Sequence, residues 1–100
     1  MKVNILGTPY SISYANKLKG DADGLCESYS KEIIIKDFEE DELSFSNLDE
    51  YRKKVVRHEI VHAFLHESGN AELSRNEEVV DWIALQIHKL IKAFEEAKCL

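Results

Sequence analysis

His58-Glu59-Ile60-Val61-His62 is the segment of this chain whose residue types and spacing specify a reaction. Four residues advance an α-helix by one turn plus about 40°, so both imidazoles leave one face and converge on a common ion. Glu59 lies about 100° round the helix from His58, where its carboxylate reaches a water held by that ion without displacing it. The chemistry is that of a catalytic zinc, which takes three protein ligands and keeps one position for water. Spacing by itself does not separate zinc from other divalent ions.

The third ligand has to come from elsewhere. His66 stands one turn beyond His62, yet ligands in line along one straight helix are about 6 Å apart in rise and cannot converge on a tetrahedral ion. Asn76-Glu77-Glu78-Val79-Val80-Asp81 opens a later helical stretch in which Glu77 and Asp81 share a face. Glu77 is expected to bind the ion, and Asp81 to accept a hydrogen bond from a liganding imidazole and so fix its tautomer. Glu78 is turned away by about 100°. The competing readings are a buried histidine pair satisfied by backbone or Tyr51, and Glu77 and Asp81 as surface acids, Glu77 favoured in the first turn by the helix dipole.

Two helices must hold these side chains. Ser46-Asn47-Leu48-Asp49 fits a capping box with Asp in place of Glu. From there to Glu67 the chain has no Gly or Pro, and Ser68-Gly69 supplies a stop. Val56, Ile60, Ala63 and Phe64 make one apolar side, while Tyr51, Val55, His58, His62 and Leu65 gather on roughly the opposite one. That pattern predicts a central, sandwiched helix. A last helix is predicted from about Asn76 to Ala97, with Val80, Ile83, Ile87, Leu90, Ile91 and Phe94 as its buried stripe.

The first third of the chain is β-prone. Residues 2–6 and 10–14 flank a turn-like Gly7-Thr8-Pro9, and residues 20–24 read as a loop. Residues 25–28 and 32–36 form a hairpin around Tyr29-Ser30-Lys31. The run Ile33-Ile34-Ile35 suggests a strand covered on both faces. Residues 37–46 are acidic and read as a solvated connection. The expected class is α+β: a small N-terminal sheet of three to four strands, then the site-bearing helix and a C-terminal helix, in one domain over 1–100.

Composition narrows the setting. A chain of 100 residues, 44% hydrophobic and 32% charged, is that of a globular domain. Thirteen Lys and Arg against nineteen Asp and Glu leave a net charge of −6, which argues against a nucleic-acid partner needing a cationic face. No apolar run approaches the roughly 20 residues of a membrane span, and no signal-peptide segment opens the chain. Cys26 and Cys99 suggest neither a disulfide framework nor a zinc knuckle, so a cytoplasmic protein with reduced thiols is expected. Cys26 reads as a small core residue, with a thiolate capping the zinc as the alternative. His66 and His88 read as helix-surface histidines, and Arg75 as a loop cation or a group steadying an oxyanion. Trp82 lies off the stripe, facing either the sheet or a partner.

His58-Glu59-x-x-His62 followed by Asn76-Glu77-x-x-x-Asp81 resembles the zinc site of the gluzincins, the thermolysin-like metallopeptidases, whose third ligand is a Glu on a later helix with an Asp four residues on. Residues 57–66 with 77–84 are also similar to the ImmA/IrrE-type metallopeptidases of phages and mobile elements, although Val61 stands where that pattern usually has Gly. More loosely, the chain is similar to small prophage proteins carrying the same two helices. The resemblance covers about residues 48–84. It implies a minimal zincin-like domain with His58, His62 and Glu77 as zinc ligands, Glu59 as general base and Asp81 behind a liganding histidine, acting on a peptide or protein. An extended substrate would add a strand along one arm of the 25–36 hairpin. The alternative expectation is a zinc-stabilised, non-cutting protein-binding module of mobile-element origin.

Overall fold

The computed structural model describes residues 1–37 and 48–100. Residues 38–46 of the acidic connection, and Ser46 and Asn47 of the expected capping box, lie outside the described residues. The fold is α+β: strands β1 (Lys2–Ile5), β2 (Thr8–Ala15), β3 (Gly24–Glu27) and β4 (Glu32–Lys36) precede helices α1 (Leu48–Glu67), α2 (Ala71–Ser74) and α3 (Glu77–Glu96). The strands form one sheet in the order β1-β2-β4-β3.

β1 and β2 are antiparallel and joined by Leu6-Gly7, at φ 51° and 89°. The turn is thus one residue earlier than the Gly7-Thr8-Pro9 expectation, because a two-residue turn with both φ positive matches the twist of the flanking strands. Thr8 and Pro9 belong to β2, and Pro9 sits before β4 begins to pair at Ser11, so its missing N–H forfeits no bond to that strand. The expected hairpin is present as antiparallel β3 and β4, and β4 also runs parallel to β2. This leaves β3 as a sheet edge.

Alternation along the strands sends Tyr10, Ile12, Ile33 and Ile35 to one face, where they pack with Ile5, Val55 and Ala63 into the core. Ile34 points the other way and is only half-buried. The expectation of a strand covered on both faces is therefore corrected: α1 covers one side. α1 lies between the sheet and α3, as its two apolar sides required, with Leu48, Tyr51, Val56 and Ile60 partly buried against the core. Phe64 departs from the expectation, at 49% exposed. The sheet covers the Val55–Glu59–Ala63 row, and Phe64 lies about 100° round from Ala63.

α1 ends as Ser68-Gly69 foretold. Gly69 takes φ 87°, its N–H donates to the His66 carbonyl at 3.1 Å, and the Asn70 N–H donates to the Leu65 carbonyl at 2.8 Å. This pair of bonds is the Schellman closure that left-handed glycine permits. The four-residue α2 follows, a feature the sequence reading did not contain. Asn76 then caps α3, its side chain accepting the Val79 N–H at 3.2 Å.

In α3, Val80 and Ala84 are buried, and the Arg57 Nε donates to the Ala84 carbonyl at 2.8 Å. Past Ala84 no residue of α3 is buried. The expected buried stripe is therefore corrected: Ile83 and Ile87 are half-buried, and Leu90, Ile91 and Phe94 are exposed. The periodicity is real, but only its first two turns meet α1. No helix among the described residues is long and apolar enough to cross a membrane.

Candidate metal centre

The helical spacing does what the sequence required of it. His58 and His62, one turn apart on α1, place their ring centroids 5.0 Å apart with planes at 67°. The first turn of α3 brings Glu77 between them. One carboxylate oxygen lies 3.1 Å from His58 Nε2 and the other 2.8 Å from His62 Nε2. One ligand atom from each of the three residues falls within 4.8 Å of the others. The imidazoles are 15% exposed, whereas the Glu77 side chain is 69% exposed, so the group opens to solvent on the carboxylate's side.

The far nitrogens are engaged too. His58 Nδ1 is 3.1 Å from Asp81 Oδ1, the contact expected of Asp81. His62 Nδ1 is 3.4 Å from Ser74 Oγ, and the same hydroxyl donates to the His62 carbonyl at 3.0 Å. With its hydrogen committed to that carbonyl, Ser74 Oγ is left to accept from Nδ1. With the proton on Nδ1, each ring would present an Nε2 lone pair to Glu77. A neutral imidazole has one N–H, so neither ring can also donate to the carboxylate. In that tautomer the two Nε2 lone pairs and the carboxylate converge as ligand atoms for a cation. Two nitrogens and an oxygen, with each ring oriented from behind, are the donor set zinc takes in a site that keeps a position free.

Lys54 supports this arrangement. Its ammonium sits 2.7 Å from Asp81 Oδ1, so Asp81 is shared between Lys54 and His58. The Lys54 ammonium, then the hydrogen bond from His58, holds the Asp81 carboxyl below its usual range, offsetting partial burial. The Tyr51 hydroxyl donates to Asp23, and burial followed by that bond pushes its pKa up to about 12.

Glu59 is the one buried charged residue among those described, at 6% exposed. Burial pushes its carboxyl up to about 7, with Glu77 adding to the rise and His58 and Lys54 opposing it. The wall beside it is Gly24 at the start of β3. A Cβ there would lie 2.9 Å from Glu59 Cγ, 2.9 Å from Val55 Cγ1 and 3.0 Å from Glu59 Oε2. Edge strand and helix approach this closely only because residue 24 has no side chain. Gly24, expected in a loop, opens β3 instead, and neither its role here nor that of Ser74 is visible in the sequence. A contact across sequence leaves no local signal.

Two cavities flank the triad and share Gly24, Glu59 and Glu77. The larger, about 670 Å³, runs along β3 to Ser28, His66 and Arg75; the smaller, about 250 Å³, reaches Tyr51 and Lys54. Cys26 lies on the wall of the larger one while packing against the core. Burial, followed by the nearby Glu59 charge, pushes its thiol up to about 12. It is outside the ligand group, as are His66 and His88. His88 is exposed, and Trp82, 64% exposed, lines an apolar groove on α3 with Ile83, Ile87 and Leu90.

No protein-family model, curated protein or solved structure matches this chain.

Proposed function

We propose that this chain is a zinc-dependent metallopeptidase of gluzincin type, with His58, His62 and Glu77 as ligands, Asp81 and Ser74 orienting the two imidazoles, and Glu59 as general base. The observation that carries the reading is the convergence of three ligand atoms within 4.8 Å with a buried carboxylate on the same helix beside them. Bound at this point, zinc supplies a nucleophilic water at neutral pH and polarises the scissile carbonyl. Glu59, held between His58 and Gly24, takes the proton from the attacking water and returns it to the leaving amine nitrogen. β3 is a free sheet edge along the larger cavity, so an extended substrate chain can pair with its backbone while crossing the triad.

Metal analysis of the purified protein, with peptide hydrolysis measured in parallel, tests the reading. One zinc per chain is expected, lost in His58→Ala. Glu59→Gln should keep the metal and lose hydrolysis by at least about a hundredfold, the usual scale of general-base catalysis. Full activity in Glu59→Gln, or a protein that takes up no zinc, overturns it. The exposed apolar stripe of α3 favours a second reading, a zinc-stabilised binding module that engages a partner without cutting it. In that case zinc binds and Glu59→Gln changes nothing measurable.

A further inference from the structure

The charges around the larger cavity do not cancel at one end. Among the charged side chains lining it, Glu59 and Glu77 belong to the candidate metal centre and Arg75 does not. Two neighbouring cations are paired with carboxylates, Lys54 with Asp81 at 2.7 Å and Lys31 with Glu67 at 2.7 Å. Arg75 differs. It lines the cavity together with His66, and its guanidinium has no carboxylate within ion-pair distance among the described residues. Its backbone is nevertheless fixed, since its N–H donates to the Glu72 carbonyl at 3.1 Å, and the next residue, whose N–H donates to the Leu73 carbonyl at 3.0 Å, caps α3. A guanidinium that lines a cavity and has no carboxylate partner among the described residues offers a planar fork to a carboxylate.

We propose that this end of the cavity selects an anionic substrate: the peptide carries a carboxylate, on an acidic side chain or at its own C-terminus, on the Arg75–His66 side of the scissile bond. The inference rests on the metallopeptidase reading and deepens it by naming a substrate class. A chain laid along β3 runs between Gly24 and Ser28, and Arg75 and His66 line the same cavity as that strand and the triad's His62 and Glu77. An acidic residue there meets Arg75, which has no carboxylate partner among the described residues. A basic residue meets the same charge and is rejected.

Calorimetric titration of the zinc-loaded protein with peptidyl hydroxamates, which need the metal to bind but no turnover, separates the possibilities. The probes place the hydroxamate at either end of the peptide and carry Glu or its isostere Gln at the flanking positions. Probes with an accessible C-terminus are made both as free acids and as amides, so that side-chain and terminal carboxylates are told apart. The expected result is about tenfold tighter binding of one carboxylate-bearing probe than of its neutral isostere, narrowing as salt is raised. Arg75→Gln should abolish that gap while leaving the neutral probe's affinity unchanged, and Arg75→Lys should keep part of it. Neutral and charged probes binding alike, or a gap that survives Arg75→Gln, overturns this inference alone. No binding by any probe to the zinc-loaded protein removes the metallopeptidase reading, and this inference with it.

Discussion

Two carboxylates meet α1 and are satisfied in opposite ways. Glu67, in its last turn, collects donors: the Thr8 hydroxyl at 3.2 Å, the Tyr10 hydroxyl at 2.6 Å and the Lys31 ammonium at 2.7 Å. Glu77, facing the middle of the same helix from α3, meets two Nε2 atoms whose rings already have their N–H engaged behind them. The first cluster is closed, since every lone pair it turns inward has a hydrogen to accept. The second opens to solvent on the carboxylate's side, and its three ligand atoms lie close enough together to share a cation. A carboxylate beside histidines is therefore not diagnostic in itself. What separates a pin from a metal site is which groups hold the far side of each ring.

The comparison breaks most readily on zinc. A ligand that binds only the folded chain raises its stability by about 2.7 kcal/mol when present at roughly a hundred times its dissociation constant. Thermal or urea unfolding with added zinc should show a gain of this size in the natural sequence and none in Glu77→Ala. Glu77 is largely exposed, so Glu77→Ala should leave the metal-free fold intact. An equal gain in both proteins would place the ion elsewhere.

A smaller effect sharpens the same contrast from the strand side. Gly24→Ala puts a methyl 2.9 Å from Val55 Cγ1 and 2.9 Å from Glu59 Cγ. Val55 is buried in the core and cannot yield freely, so the substitution should cost about 1–3 kcal/mol, the range of an overpacked site. It should also lower hydrolysis more than zinc uptake, because the displaced group is Glu59 and not a ligand. Urea unfolding and metal content measured on the same preparation check both halves. Unchanged stability would mean that β3 can move away from α1.

What the sequence carried, and what it did not, follows from the range of each interaction. His58, Glu59 and His62 were legible because helical geometry alone puts them together, and Glu77 and Asp81 because a second helix has to supply what one straight helix cannot. Glycine and serine at the end of α1 announced the Schellman closure. The parallel pairing of β2 with β4 was not legible, since nothing local records which strand lies beside which. Neither was the role of Gly24, which depends on Glu59 being pressed against it from another element. The α3 stripe was half legible: its period shows that an apolar face exists, but only the fold decides that its cover ends at Ala84. The Glu67 cluster went unseen for the same reason, its partners lying 36 to 59 residues away along the chain.

That closed cluster yields the smallest predicted effect, and its sign follows from titration. Hydrogen bonds from Lys31 and then Tyr10 bring the Glu67 carboxyl from an ordinary 4.5 down to about 2, with burial opposing the change. A group whose folded pKa is depressed contributes stability that is present above its unfolded value and lost as pH falls through its folded value. The contribution of Glu67 is therefore complete above about pH 4.5 and fades between there and about 2. Unfolding should be followed by urea titration across this window with chelator present, so that metal release from the open cluster does not enter. Glu67→Gln keeps the shape of the side chain and removes its proton equilibrium. It should start less stable at neutral pH, because Lys31 and the buried Tyr10 hydroxyl lose a charged acceptor, and then decline less steeply with acid. An acid limb of equal slope in both proteins would mean that another group governs the decline and that Glu67 is no pin.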